Sequence, residues 1–448
     1  MIKYLINKYI RKDRLIMSKN TAVFTPGTIP DLTYNKRESE ELEKMVNYQL
    51  QVGGKIIILS GPSKIGKTVL INKVLDKTKI VMIQGGELTD ETDLMLEILK
   101  KLSKLPAEQN TIQTLKTSVS ANATVDSKLS FWSMVGYKIG ITVGAEANKT
   151  TQNTFVDDPF ERAIDYMIKE SYTLVIDDFH YINGDLQKKI IRKLKSPLNN
   201  GLRVLLALIP SRTEVIVQKE PDMEFRTTVI DVPLWAKDEL EYIPEKGFKA
   251  LGISLDRSIV DDFINNSFSN PFLMQELCSR LMYEYGIASS IDSTQQSINI
   301  EFDNDTIKKI YTAVAKHDCI IQQLELGKTQ RGQDRANYEL AVNNGEKKVV
   351  DLYKIIMMAL GALANADKIT VADILQTIEA MDIRRTGNGK ATPRASDVTV
   401  TLKKISKMAS EINTKDPVIE YKEHEKTVYM YDSFFSFNLR FHYDSSFG

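Results

Sequence analysis

The sequence predicts a three-layer α/β domain on a parallel sheet, followed by a helical region and a smaller unit of three helices and a hairpin. Three observations lead there. Short runs rich in isoleucine, valine and leucine alternate with amphipathic helical segments from Lys55 to Val232, the pattern of a sheet covered on both faces. After Ile253 the strand signal stops and helical spacing takes over. From residue 349 onward, three helical segments precede two alternating runs around the charged tip KEHEK.

In chain order, residues 24–50 open as a loop of Pro, Gly and Thr. It leads into a helix with apolar spacing at Leu42, Met45, Val46 and Leu50. KIIILS (55–60) is apolar, β-branched and ended abruptly by glycine, which marks a buried strand. A helix follows from Lys67 to Leu75, then a strand at 79–84 and a helix at 88–105. Residues 107–157 are rich in Ser, Thr, Asn, Ala and Gly and read as an insertion, with a hairpin expected around Tyr137–Thr142. Next come the helix PFERAIDYMIKE, the strand TLVIDD (173–178), the helix LQKKIIRKLKSPL and the strand RVLLALI (203–209). The short helix TEVIVQKE, the strand TTVIDV (227–232) and a helix reaching Ile253 complete the alternation. Right-handed crossovers then place helices on both sheet faces.

Composition removes several classes. With 448 residues the chain has room for two or three domains. Lys+Arg and Asp+Glu both number 59, so the net charge is zero, unlike a chain that coats nucleic acid or acidic membranes. The two cysteines, Cys278 and Cys319, have no CxxC partner, and the four histidines are scattered singly. A disulfide scaffold and a Cys- or His-based metal cluster are therefore not expected, and a reducing cytoplasm is. No run of 18 apolar residues marks a membrane span. Residues 1–16 are either a basic amphipathic anchor or lie upstream of the true start at Met17.

The chemistry concentrates in one motif. Gly61-Pro62-Ser63-Lys64-Ile65-Gly66-Lys67-Thr68 is a complete G-x-x-x-x-G-K-T between a predicted strand and a predicted helix, followed by Val69. Such a loop turns backbone N–H groups toward a phosphate, and the helix N-terminus adds partial positive charge. Lys67 would reach the terminal phosphates, and the Thr68 hydroxyl would hold Mg²⁺. Leu174-Val175-Ile176-Asp177-Asp178 supplies the second half. Asp177 would bind Mg²⁺ directly or through water, and Asp178 would polarise the attacking water. ATP with Mg²⁺ is the expected ligand. His180 either orients the site or lies on the surface.

This order of motifs resembles the AAA+ and STAND P-loop ATPases, closest to the branch shared by origin-recognition-type initiators and archaeal-type ATPases. The similarity spans residues 24–290 well and 349–448 loosely. It implies roles for further residues. Tyr34 and Arg37 in YNKRESEEL correspond to the segment that meets the adenine. Ser211 or Arg212, after the fourth strand, stands where a polar residue senses the γ-phosphate, although the usual Asn is missing. Arg226 stands where an arginine finger acts on a neighbouring subunit, which implies a homo-oligomer. Pro271, in Ser269-Asn270-Pro271, stands where STAND proteins bring a helical lid onto the nucleotide, with serine in place of the usual glycine.

The resulting layout is an N-terminal extension (1–23), a P-loop NTPase core (24–253), a helical lid (254–324), a linker (325–348) and a winged-helix domain (349–448). Arg394, Lys403, Lys404 and Lys407 would give the winged helix a DNA-facing side, diluted by Asp397 and Glu411. The stripe Phe434, Phe435, Phe437, Leu439 and Phe441 reads as core packing. The main functional expectation is an oligomerising STAND-type switch that controls a separate effector protein, as in microbial defence against phage or plasmids. The alternative is a DNA-binding AAA+ ATPase of initiator or transposition-helper type.

Overall fold

The computed structural model describes residues 23–104, 159–209, 225–287, 298–315, 319–327, 337–341, 347–366, 368–381, 383–385, 393–412 and 417–447. The chain divides into two compact units: Lys36–Pro62 with Gly66–Pro233, and Met1–Asn35 with Ser63–Ile65 and Leu234–Gly448.

The unit containing Gly66–Pro233 carries α1 (Leu42–Val52), β1 (Ile56–Ser60), α2 (Lys67–Val74), β2 (Ile80–Gln84), α3 (Glu91–Lys104), α4 (Pro159–Lys169), β3 (Thr173–Asp177), α5 (Gly184–Asn199), β4 (Arg203–Leu208) and β5 (Thr227–Asp231). Its five strands form one sheet in the order β2-β3-β4-β1-β5, parallel at every pairing. Every residue of β1 and β3 is buried, which is why those segments are almost wholly apolar. Ile58, Val81, Ile83, Leu174, Ile176, Val204 and Leu206 pack with Leu94 and Ile98 of α3, Met167 of α4, and Ile190 and Leu194 of α5. Each such aliphatic side chain removed from water contributes about 1.5–3 kcal/mol. Because β1, β4 and β3 run parallel, the loops after them leave the same end of the sheet. Crevices at the carboxyl ends of parallel strands are where this kind of sheet takes its ligands. The strands begin and end within about two residues of the sequence expectation. The insertion at 107–157 with its hairpin, the helix at 213–220 and residues 1–22 lie outside the described residues.

The second unit carries α6 (Lys237–Ala250), β6 (Ile253–Leu255), α7 (Arg257–Asn266), α8 (Pro271–Glu284), β7 (Ile298–Ile300), α9 (Asn304–Val314), α10 (Cys319–Leu326), β8 (Asn337–Ala341), β9 (Lys347–Asp351), α11 (Leu352–Ala362), β10 (Ile369–Thr370), α12 (Val371–Ala380), β11 (Ile383–Arg385), α13 (Ala395–Ile412), β12 (Ile419–Lys422), β13 (Thr427–Met430) and α14 (Ser433–Phe447). Strands do persist after Ile253, contrary to expectation. β6 and β7 pair in parallel, with Ile253 and Ile300 buried. The segment read as a linker holds β8, which pairs antiparallel with both β9 and β11. Tyr338 and Leu340 are buried on one face of β8, and Val350 stands opposite Tyr338. A five-residue strand that opens on Asn337 and has Glu339 between Tyr338 and Leu340 offers too short an alternation to stand out in a polar stretch.

The last elements form a second small antiparallel sheet in the order β10-β13-β12, with α11, α12 and α13 beside it. Asp351 caps α11 by accepting from Lys354 N at 3.1 Å. Thr370 and Asp373 form a reciprocal capping box at α12. The C-terminal helix α14 lies close against α11. A Cβ on Gly361 would stand 2.8 Å from the Leu439 carbonyl oxygen, and both partners are backbone in regular helix. Gly361→Ala is therefore expected to lower unfolding stability by about 1–3 kcal/mol despite alanine's better helix propensity. Chemical denaturation of the full chain reads this out, and an unchanged midpoint would contradict the close approach.

Candidate nucleotide-binding site

Two strand ends fix the entrance of the Gly61–Gly66 loop. Gly61 N donates to the Leu208 carbonyl at 3.2 Å, and Val232 N donates to the Ser60 carbonyl at 2.6 Å. Gly66 adopts φ 109° and Lys64 φ 59°. Left-handed residues within a tight loop bring successive N–H groups to one side, which makes an anion nest. At Gly66 glycine allows this freely; at Lys64 the side chain makes it strained.

Lys67 opens α2 and is 6% exposed. Its Nζ donates to the carbonyls of Gly61 and Pro62, each at 2.7 Å, so the ammonium is held across the loop by the loop itself. Next to it, Thr68 Oγ1 donates to Asp177 Oδ2 at 2.6 Å, across 109 residues of sequence. The other oxygen, Asp177 Oδ1, accepts from Asp178 N at 3.0 Å. A hydroxyl and a carboxylate in contact form a hard-oxygen pair suited to Mg²⁺. Among the described residues no cluster of three or more His, Cys, Asp or Glu could hold a metal. Mg²⁺ takes one or two protein ligands and completes its shell with phosphate oxygens and water.

Asp178 sits at φ 52°, half-buried, just past the end of β3. Burial raises its pKa above the ordinary aspartate value, the Asp177 charge raises it further, and Lys67 opposes both. The turn after it is held by Gln187 Nε2, which donates to the Phe179 carbonyl at 3.0 Å. Gly85 packs close to the same turn: a Cβ there would lie 2.4 Å from the Asp178 carbonyl oxygen. His180 is 5% exposed, with its ring 4.3 Å from that of Tyr181, so it is not a surface histidine.

The remaining residues singled out from the sequence lie as follows. Arg226 Nη1 donates to Asn199 Oδ1 at the end of α5. Arg37 is 4% exposed and donates to the Pro233 carbonyl at 2.9 Å. Ser211 and Arg212 lie outside the described residues. In the second unit, Tyr34 is half-buried. Pro271 is buried as the first residue of α8, where its fixed φ suits the helix start. Asn270 caps that helix by accepting from Phe272 N at 2.9 Å and Leu273 N at 3.3 Å. Sequence reasoning missed Trp235, whose Nε1 donates to the Ile65 carbonyl at 3.0 Å, and it missed Gly85. Nothing local distinguished Gly85-Gly86 from an ordinary turn.

No family model matches the chain, and no curated protein matches it. Solved structures similar to it include a Walker-type ATPase of Pyrococcus abyssi (14% identity, TM-score 0.47, covering 92% of this chain and 100% of that one). The Aeropyrum pernix ORC2 protein in ADPNP-ADP complexes is 12% identical, with a TM-score of 0.43 over 95% of this chain and 98% of that one. Cdc6p from Pyrobaculum aerophilum is also 12% identical, with a TM-score of 0.39 over 95% and 98%. The fold of this chain stands on its own sheet: a three-layer α/β P-loop fold, with one strand between the loop-bearing β1 and the acid-bearing β3.

The Asp178 carboxyl ties stability to pH. The unfolded chain ionises its aspartate at lower pH than the folded chain does, so folding loses stability as pH rises between the two values. Asp178→Asn is therefore expected to raise the Tm of the nucleotide-free protein at neutral pH, with the gap closing in acid. Melting curves across pH check this, and a lower Tm for the variant at neutral pH would contradict the burial penalty.

Proposed function

We propose that the chain is a Mg²⁺-dependent ATPase that assembles as a homo-oligomer and works on duplex DNA. The contact of Thr68 with Asp177 beside Lys67 carries the nucleotide reading. Two predicted Mg²⁺ ligands from distant sequence meet beside the predicted phosphate lysine, which an accidental loop match would not produce. Bound Mg²⁺ would neutralise charge on the phosphates. Thr68 and Asp177 would hold the ion, Lys67 would hold the terminal phosphates, and the loop N–H groups from Ser63 to Thr68 would cradle them. Asp178 would orient the attacking water, and burial beside Asp177 raises its pKa above the ordinary aspartate value. Adenine as the base, with Tyr34 and Arg37 near it, follows from the AAA+ resemblance, as does the role of Arg226 as a finger in trans. To act as one, Arg226 would exchange Asn199 for a neighbour's phosphate.

The DNA reading rests on the last elements. A helix, a short strand, two helices and a hairpin, with the short strand paired beside the hairpin, follow the order of a winged helix, and β11 is inserted between the two helices and pairs with β8 instead. Lys403, Lys404 and Lys407 are exposed on α13, the helix that would enter the groove, and Arg394 is exposed just before its first residue. Lys403 is paired with Glu423 of the hairpin tip, which tempers that face. The separate effector and the defence role implied by the STAND resemblance gain no support from the fold or the comparisons.

Lys67→Ala should weaken binding of fluorescent ATP at least roughly 30-fold, because a desolvated phosphate loses its cation. Unchanged affinity would remove the site. Duplex DNA should raise turnover at low salt and lose that effect as salt increases. Turnover indifferent to DNA at every salt concentration would leave an ATPase without the DNA role.

A further inference from the structure

Phe434 departs from its neighbours. Phe435, Phe437, Leu439 and Phe441 are all buried, as core packing requires, but Phe434 is only half-buried. Its ring lies under the Lys64 ammonium, with Nζ 3.6 Å from the ring centroid. The Phe272 ring lies 5.2 Å from the same nitrogen and meets Phe434 edge-on at 5.1 Å. All three residues belong to the second unit. Both rings are anchored in the first turns of capped helices. Asp432 accepts from Phe434 N at 2.7 Å and Phe435 N at 3.0 Å. Ser433 Oγ donates to the Phe268 carbonyl at 3.2 Å, tying the start of α14 to the turn before α8. Asn270 caps α8 next to Phe272, and Gly27 backs the Phe272 ring, with room for a Cβ only at 3.4 Å.

Lys64 is also the strained residue of the loop, a non-glycine at φ 59°. A lysine in that conformation needs something to hold it. We infer that the Phe272–Phe434 pair clasps the Lys64 side chain, keeps the phosphate loop in its nest-forming shape, and thereby couples nucleotide binding to docking of the C-terminal helix α14. Lys64 acts here as a positioning residue: its side chain faces the aromatic pair, while its backbone N–H belongs to the nest. The coupling is positive, because a loop already held in its nest-forming shape pays less to order itself around a phosphate. Linkage makes the effect reciprocal, so nucleotide must also strengthen the docking of α14.

The inference rests on the nucleotide-site reading, and the experiment separates the two. Affinity for fluorescent ADP is measured in the full chain for wild type, Phe434→Leu, Lys64→Gly and the double variant, with Lys67→Ala as the blank. Phe434→Leu should weaken binding roughly threefold to tenfold, the range of an exposed to partly desolvated cation–π contact. In the Lys64→Gly background the same substitution should change nothing, because glycine holds the left-handed conformation without the clasp. Hydrogen exchange should show residues 433–447 better protected with ADP bound in wild type only. Equal losses in both backgrounds, or no loss in either, would overturn the clasp while leaving the site intact. Wild-type binding no better than the Lys67→Ala blank would instead overturn the site reading, and the clasp with it.

Discussion

The hydrogen bond from Thr68 to Asp177 is the interaction on which the rest of this structure turns. It forms only because a parallel sheet brings the carboxyl ends of β1 and β3 to one edge, with β4 between them. Any slip of register by one residue would move Asp177 to the other side of its strand. The buried isoleucines, valines and leucines of the central strands therefore set the geometry of the site as well as the stability of the unit.

Asp178 shows the cost of that arrangement. A second carboxylate next to the first, half-buried and left-handed, destabilises the folded chain at neutral pH. Gly85 packs closely against its carbonyl, and Gln187 holds the turn after it through the Phe179 carbonyl. A half-buried carboxylate beside a glycine that admits no side chain fits the chemical role proposed for Asp178.

Most of the sheet and the phosphate loop were legible in the sequence, for a physical reason. Strands covered on both faces must be continuously apolar, and a loop that wraps phosphate needs glycine and lysine at fixed spacing. Asp177 and Asp178 could be read because an acid pair ends an apolar run. The strands β8 and β9 were hidden because a short antiparallel pair needs only two or three buried residues, here Tyr338, Leu340 and Val350. Gly85 and Trp235 were invisible because their importance comes from residues far away in sequence, Asp178 and Ile65. Phe434 was read with its buried neighbours, since spacing along a helix does not say which residue at its edge faces a charge. The burial of His180 likewise depends on how the turn after β3 packs.

The central claim is that Thr68 and Asp177 together form the Mg²⁺ site of a nucleotide-binding P-loop. The most direct measurement is the gain in ATP affinity that Mg²⁺ produces, in wild type, Thr68→Val, Asp177→Asn and the double variant. If the pair holds the ion, Mg²⁺ tightens ATP binding in wild type, each single variant loses that gain, and the double variant loses no more than either. A gain that survives in both single variants, or losses that simply add, would contradict the assignment.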